Sequence, residues 1–336
     1  TGSECYNCGR RGKSIKKKGD FYVCQAEDCG HKTRVIPTDS VGIVFDKKIK
    51  MKVFSHKGTI DTLLSPNDSL KYYKTFLHTG LMSVDPHTGY IKAWVGGVNY
   101  GQFAYDHVTS TRQVGSTFKP FVYAAAIQEK KLSPCQEVPN VLYTFHKGEF
   151  GLLKDWTPKN SDGDRDGCLT SLEYGLANSM NTITAWVMKQ INPDLVVKLA
   201  RNMGVTSHLE PVPSLCLGVA DISVYEMVGA NATFANKGIY IEPTMFTRIE
   251  DKHGNVIVDF NPKTNEAMDE ETAYVMLELM KGVTSGAYNK CKDKNLGTGM
   301  RLRGTVSKSR PYVGHRYPIA GKTGTTQNNS DGWFMG

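Results

Sequence analysis

Three short polar motifs, spread over more than two hundred residues, constrain this chain most: Ser116-Thr-Phe-Lys119, Ser179-Met-Asn181 and Lys322-Thr-Gly324. They fall in different settings. The first opens a helical stretch running through Ala124-Ala-Ala-Ile-Gln-Glu, the second breaks a helical pattern, and the third lies in the strand-like run Tyr317-Pro-Ile-Ala-Gly-Lys-Thr-Gly-Thr-Thr. A fold that uses all three must bring a helix start, a loop and a strand together from distant parts of the chain. Singly, each has a bland reading: a capped helix with a surface lysine, a helix-helix loop, a glycine-bearing edge strand. In this order and these settings, the set is far less accidental.

The chemistry follows from residue type and spacing. If Ser116 opens a helix after the tight entry that Gly115 permits, Lys119 lies one turn on, on the same face, and its ammonium can reach the hydroxyl. A serine hydroxyl attacks poorly until a base accepts its proton, so Lys119 must be neutral for part of any cycle, which burial or nearby positive charge arranges. A helix start favours a developing oxyanion, and Pro120 costs little in a first turn. Asn178-Ser-Met-Asn interrupts the helix before Thr182-Ile-Thr-Ala-Trp resumes it, so that Ser179 can relay a proton between Lys119 and a leaving group while Asn181 hydrogen-bonds a substrate amide. In the strand, Lys322 supplies positive charge and the hydroxyls of Thr323 and Thr325 can hold a carboxylate. Gly324 lets another backbone approach, as a substrate docking along an edge requires. The Thr325 amide pairs with that of Ser116 as an oxyanion hole.

The 336 residues, 40% hydrophobic and 22% charged, can bury a sizeable core. A net charge of +8 is concentrated near the start, from Arg10 to Lys52, where a solvated basic face is the plainer reading than a nucleic-acid or lipid contact. No run approaches the ~18 apolar residues of a membrane-spanning helix. Cys5-Tyr-Asn-Cys8 and Cys24-Gln-Ala-Glu-Asp-Cys29 resemble the two knuckles of a zinc ribbon ending near Arg34, with His31 as a substitute ligand; disulfides are the competing reading. Cys135, Cys168, Cys216 and Cys291 show no ligand spacing and read as small buried hydrophobes.

Along the chain, residues from about Val41 to Asp61 read as short strands, and Ser65 to Leu77 as a capped helix. Leu81-Met-Ser-Val-Asp and Tyr90-Ile-Lys-Ala-Trp-Val flank a hairpin turn at Pro86-His-Thr-Gly89. Thr170-Ser-Leu-Glu173 and Ser223-Val-Tyr-Glu226 read as capping boxes, the second helix running to Asn236. Ile239 to Ile249 and Val256 to Phe260 read as a hairpin, Glu270 to Lys281 as a helix, and Trp333-Phe-Met as a strand inside which the chain stops. The expected fold class is α+β, with one antiparallel sheet assembled from distant segments.

With these residues in hand, the chain over Val41 to Gly336 resembles the transpeptidase domain of class A penicillin-binding proteins, the bifunctional peptidoglycan synthases. Besides the three motifs, the stretches Leu81 to Gly97, Arg112 to Phe121, Thr233-Phe-Ala-Asn-Lys-Gly and Gly321 to Thr326 are similar to that family. The resemblance implies a penicillin-binding-protein/serine β-lactamase-like fold, a five-stranded antiparallel sheet between helical layers, incomplete at the carboxyl end. The domains expected are a cysteine-rich segment over 1–40 and the transpeptidase over 41–336. The implied reaction is D,D-transpeptidation through a Ser116 acyl-enzyme formed from a stem peptide ending in D-Ala-D-Ala, with no cofactor for catalysis, and β-lactams acylating the same serine. Implied partners are stem peptides, lipid-linked glycan strands, β-lactam antibiotics and cell-wall synthesis proteins, at the outer face of the cytoplasmic membrane. Neither the family's glycosyltransferase domain nor its anchor is expected in these residues. The alternatives are a β-lactamase or β-lactam sensor with the same motifs, and an inert zinc-ribbon module binding nucleic acid.

Overall fold

The structure is a computed structural model describing residues 15–19, 21–27, 29–34, 41–304, 317–326 and 329–336. The chain divides into two units, Thr1–Leu77 and His78–Gly336. In the first, the strands Ile15–Lys18, Phe21–Cys24 and Lys32–Arg34 form an antiparallel sheet. Cys24 is buried at a strand end and its amide donates to His31 O (2.9 Å); Cys5 and Cys8 lie outside the described residues. Val41–Asp46 (α1), expected as strand with the weakly alternating run to Asp61, is a short helix, a case of tertiary context overriding a weak local signal. Ile49–Ser55 and Gly58–Leu64 make a hairpin in full register. Pro66–Lys74 (α2) starts at the expected Ser65, whose hydroxyl accepts from the Asp68 amide while Asp68 accepts from the Ser65 amide. Tyr72 and Tyr73 hold α2 to the hairpin, Tyr72 Oη donating to Phe54 O (2.7 Å) and Phe54 N to Tyr73 Oη (3.1 Å).

The second unit is built round the helix Lys119–Lys130 (α3), from which every side chain from Lys119 to Ile127 is withdrawn from water. A helix apolar on all sides belongs in an interior. Leu172–Ala177 (α4), Asn181–Lys189 (α5), Pro193–Asn202 (α6), Val224–Ala235 (α7) and Glu270–Ser285 (α8) contribute the rest of one hydrophobic core. The expected start of α7 holds: Ser223 and Glu226 cap each other. That of α4 moves by one residue. Thr170 lies mid-strand, paired with Val138, while Ser171 ends the strand opposite Glu137 and is the cap, its hydroxyl accepting from the Tyr174 amide at 3.1 Å. The helix α8 runs four residues beyond Lys281.

The hairpin Leu81–Val84/Ile91–Val95 forms as expected, and Lys322–Thr325 pairs with Gly332–Met335. Arg248–Glu250 pairs with Val256–Asp259, but Ile239–Ile241 pairs instead with Thr264–Glu266. The α+β class stands, whereas a single sheet does not form among the described strands: the second unit pairs its strands two by two. The scattered cysteines also need correcting. Cys168 and Cys291 are joined by a disulfide with Cα atoms 6.1 Å apart, Cys135 is exposed, and Cys216 alone fits the buried-hydrophobe expectation. Sequence separation of 123 hid that pairing, since only tertiary packing brings the two loops together.

Candidate active site

The nucleophile candidate sits on a tighter element than expected. Gly115–Phe118 is a 3-10 turn, and the α-helix begins only at Lys119 with Pro120 in its first turn. Gly115 enters at φ +53°, and a Cβ there would lie 2.8 Å from Thr325 O. Ser116 is half-buried. Lys119, fully buried, donates from Nζ to Ser179 O (2.5 Å), Asn181 Oδ1 (2.7 Å) and Ser179 Oγ (3.3 Å). No hydrogen bond joins Lys119 to Ser116 among the described residues; the expected link to the nucleophile is replaced by one to the second motif.

That motif is where α4 ends and α5 begins. Ser179 takes φ +57°, a left-handed conformation costly for a residue with a Cβ, and so turns both its carbonyl and its hydroxyl toward Lys119. The third motif completes the cluster. Lys322, also fully buried, donates to Ser179 Oγ (2.9 Å) and Thr323 O (2.9 Å), so one hydroxyl is shared by two lysines. Burial drives the Lys119 pKa down to about 7, the nearby Cys216 thiol opposing slightly. Burial foremost, then the Lys119 charge, holds Lys322 well below the ordinary lysine range. Two ammonium groups against one hydroxyl are mutually unfavourable, so the pair favours release of a proton.

Gly324 acts differently from expectation. A Cβ there would meet Thr117 Cγ2 at 2.8 Å and Val114 O at 2.9 Å, so the backbone that approaches is the protein's own 3-10 turn. The glycine lets the third motif lie flat against the first. Trp333 Nε1, on the partner strand, donates to Gln113 O (3.0 Å) and ties the same two segments.

Two residues not anticipated from sequence hold the motifs in place. Met180, at the start of α5, has no side chain that can cap, and Asn160 supplies the cap from twenty-one residues away: its Oδ1 accepts from the amides of Asn181 (2.7 Å) and Thr182 (3.1 Å). Thr298 shares a hydrogen bond with Thr323 (Oγ1···Oγ1 2.6 Å) while its amide donates to Ala177 O (3.1 Å), linking the third motif to the end of α4. The missing cap at Met180 was the one sequence signal that pointed to a remote partner. For Thr298 there was none.

The three motifs thus meet: Lys119 and Lys322, both buried, share the hydroxyl of Ser179, and Ser116 lies in the 3-10 turn that leads directly into Lys119. Residues 79–336 match the family described as the penicillin-binding protein transpeptidase domain, and residues 31–77 match the penicillin-binding protein middle domain. The chain belongs to the penicillin-binding protein transpeptidase family. Its relatives place it with the class A members. Penicillin-binding protein 1A of Aquifex aeolicus is 31% identical over 263 residues, covering 77% of this chain and 32% of that protein. Among solved structures, penicillin-binding protein 1A from Haemophilus influenzae is similar with a TM-score of 0.66 at 24% identity, over 96% of this chain and 49% of that one. PonA1 from Mycobacterium tuberculosis in complex with penicillin V gives a TM-score of 0.58 at 20% identity, over 89% and 76%. The chain therefore spans about a third of the length of the Aquifex relative.

Proposed function

We propose that this chain is a serine D,D-transpeptidase domain that cross-links peptidoglycan stem peptides through an acyl-enzyme on Ser116. The observation that carries the reading is the Ser179 hydroxyl held between Lys119 Nζ and Lys322 Nζ, with Lys119 brought to about pKa 7 by burial. Neutral Lys119 takes the Ser116 proton as Oγ adds to the penultimate D-Ala carbonyl, and Ser179 passes that proton to the departing terminal D-Ala amine. An ester on Ser116 forms and the peptide bond breaks. An amine of a neighbouring strand then attacks the ester, returning the proton to Ser116 by the same route.

Lys322, with Thr323 and Thr325, would receive the substrate carboxylate, whose charge compensates the ammonium that burial disfavours. Asn181 uses Oδ1 on Lys119 and one Nδ2 hydrogen on Lys159 O (2.8 Å), which leaves its second amide hydrogen for the substrate. The amides of Ser116 and Thr325 would bind the oxyanion. A β-lactam enters the same sequence, except that its leaving nitrogen stays tethered and blocks the acceptor; PonA1, solved with penicillin V, supports that extension. The Cys168–Cys291 disulfide supports an oxidising compartment outside the cytoplasm. Among the described residues no helix is long and apolar enough to cross a membrane.

Incubation with a fluorescent penicillin, with the adduct mapped by mass spectrometry, tests the reading. A long-lived adduct on Ser116, absent from Ser116→Ala, is the expected result. Label persisting in that variant overturns the nucleophile, and rapid release of opened antibiotic makes the protein a β-lactamase. The zinc-ribbon reading of Cys5, Cys8, Cys24 and Cys29 is a separate proposal, supported by the short antiparallel sheet that brackets Cys24. Elemental analysis showing one zinc per chain, lost in Cys24→Ser, is expected; no zinc removes it.

A further inference from the structure

The polar network behind α5 leads away from the reacting groups to a covalent and ionic junction. Asn160, besides capping α5, shares the two hydrogens of Nδ2 among Asn140 Oδ1 (3.1 Å), Thr182 Oγ1 (3.0 Å) and Asp164 O (2.8 Å), and Thr182 Oγ1 donates to Asn140 Oδ1 (2.7 Å). Asn140, Asn160 and Thr182 are all buried. Asn140 Nδ2 in turn donates to Asp166 Oδ1 (3.0 Å), an oxygen that also accepts from the Cys168 amide (3.1 Å). Backbone bonds run both ways between these segments, Asn140 N to Cys168 O (2.9 Å) and Gly167 N to Asn140 O (3.0 Å).

At the outer end, Lys292 lies against both Asp164 and Asp166, with Nζ 3.4 Å from Asp166 Oδ2. Left alone, those two carboxylates would repel each other and loosen the Asp162–Asp166 loop that carries Asn160's partners. Lys292 follows Cys291 directly, and Cys291 is bonded to Cys168. The disulfide thus delivers the ammonium to its carboxylates; the Asp166 carboxylate holds Asn140, the Asp164 carbonyl and Asn140 hold Asn160, and Asn160 holds the Asn181 amide.

We propose that the Cys168–Cys291 disulfide and Lys292 form a brace that positions Asn181 and, through it, Lys119 for acyl transfer. The proposal rests on the acyl-transfer reading above. Cys168, Cys291 and Lys292 are positioning residues, since none touches the reacting groups. A buried hydrogen-bonded network of this kind is stiff only while every member is satisfied, so loosening one end is felt at the other.

The test uses the full chain as Cys168→Ser/Cys291→Ser, Lys292→Met and Lys292→Arg, with folding checked by circular dichroism. Hydrogen exchange at the Asn181 and Thr182 amides is expected to rise about tenfold in the first two variants and to stay near the wild-type rate in Lys292→Arg. The saturating rate of penicillin acylation is expected to fall about tenfold in the same two, with a smaller rise in the half-saturating concentration, because Lys119 loses its placement and Asn181 only one ligand hydrogen bond. Unchanged exchange at both amides overturns the brace. Faster exchange with an unchanged saturating rate overturns its role in acyl transfer. If the double variant does not fold, Lys292→Met decides alone. If the wild-type chain takes no penicillin label, the acyl-transfer reading is what fails, and exchange still decides the brace.

Discussion

The start of α7 half-buries a charged group and the Ser116 site buries one completely, and they treat it in opposite ways. Glu226 accepts from Ser223 N and Oγ, Ser207 N and Oγ, and Thr206 N and Oγ1, six donors between 2.7 and 3.0 Å. Burial alone would raise its pKa, but the bonds from Ser223 and Ser207 carry it down to about 2. Lys119 has three acceptors, yet burial brings it to about 7, and a second lysine stands across the same hydroxyl. One charge is locked and serves structure. The other is poised to leave and serves proton transfer, because Lys119 is wholly withdrawn from water and its three acceptors do not offset that burial, whereas Glu226 is only half-buried and ringed by six donors.

The contrast breaks most sharply at Lys119. Lys119→Ala is expected to slow penicillin acylation by about 10²–10⁴-fold in stopped-flow measurements, the range for loss of a positioned base; a variant that acylates within tenfold of wild type ends its assignment. Next comes pH. Acylation should rise to a plateau with a midpoint near pH 7 and fall roughly a hundredfold by pH 5, following the neutral fraction of Lys119. The same shift affects stability. The folded chain holds fewer protons on Lys119 than the unfolded chain between about pH 7 and the ordinary lysine value of 10.5, so the cost of burying it eases as pH rises through that window.

Glu226→Gln should change stability and not the acylation rate measured below the melting transition. The expected cost is about 2 kcal/mol by urea unfolding at pH 7, from a lost cap and donors left unpaired. The Glu226 pKa lies below its unfolded value of 4.5, so this stability is full above that pH and is lost as pH falls toward about 2; a Glu–Gln difference that persists at pH 2 contradicts it. The smallest effect belongs to Thr298→Val, which removes the hydroxyl bonded to Thr323. About 1 kcal/mol of acylation barrier, near fivefold, is expected in the penicillin rate, with stability little altered.

Much of this protein was legible in short windows of sequence. The cap at Ser65 and the Ser223–Glu226 box rest on bonds that reach three residues, the hairpin after Leu81 on alternation either side of a short turn, and the three motifs on residue type and spacing, all of which can be read locally. Reading failed where a local signal was cancelled by a distant partner. Thr170 looked like a cap until Val138 paired with it, and Ile239–Ile241 sat beside a plausible hairpin partner but took Thr264–Glu266.

The tertiary structure alone decided which groups meet. That Lys119 hydrogen-bonds Ser179, that Gly324 accommodates Val114 and Thr117, and that Asn160 caps α5 are choices made by packing across 21 to 210 residues of chain. Burial is likewise a property of the assembled core. A lysine three residues after a serine is legible anywhere in a sequence, but its readiness to give up a proton near pH 7 comes from the water that α3 and its neighbours exclude around it.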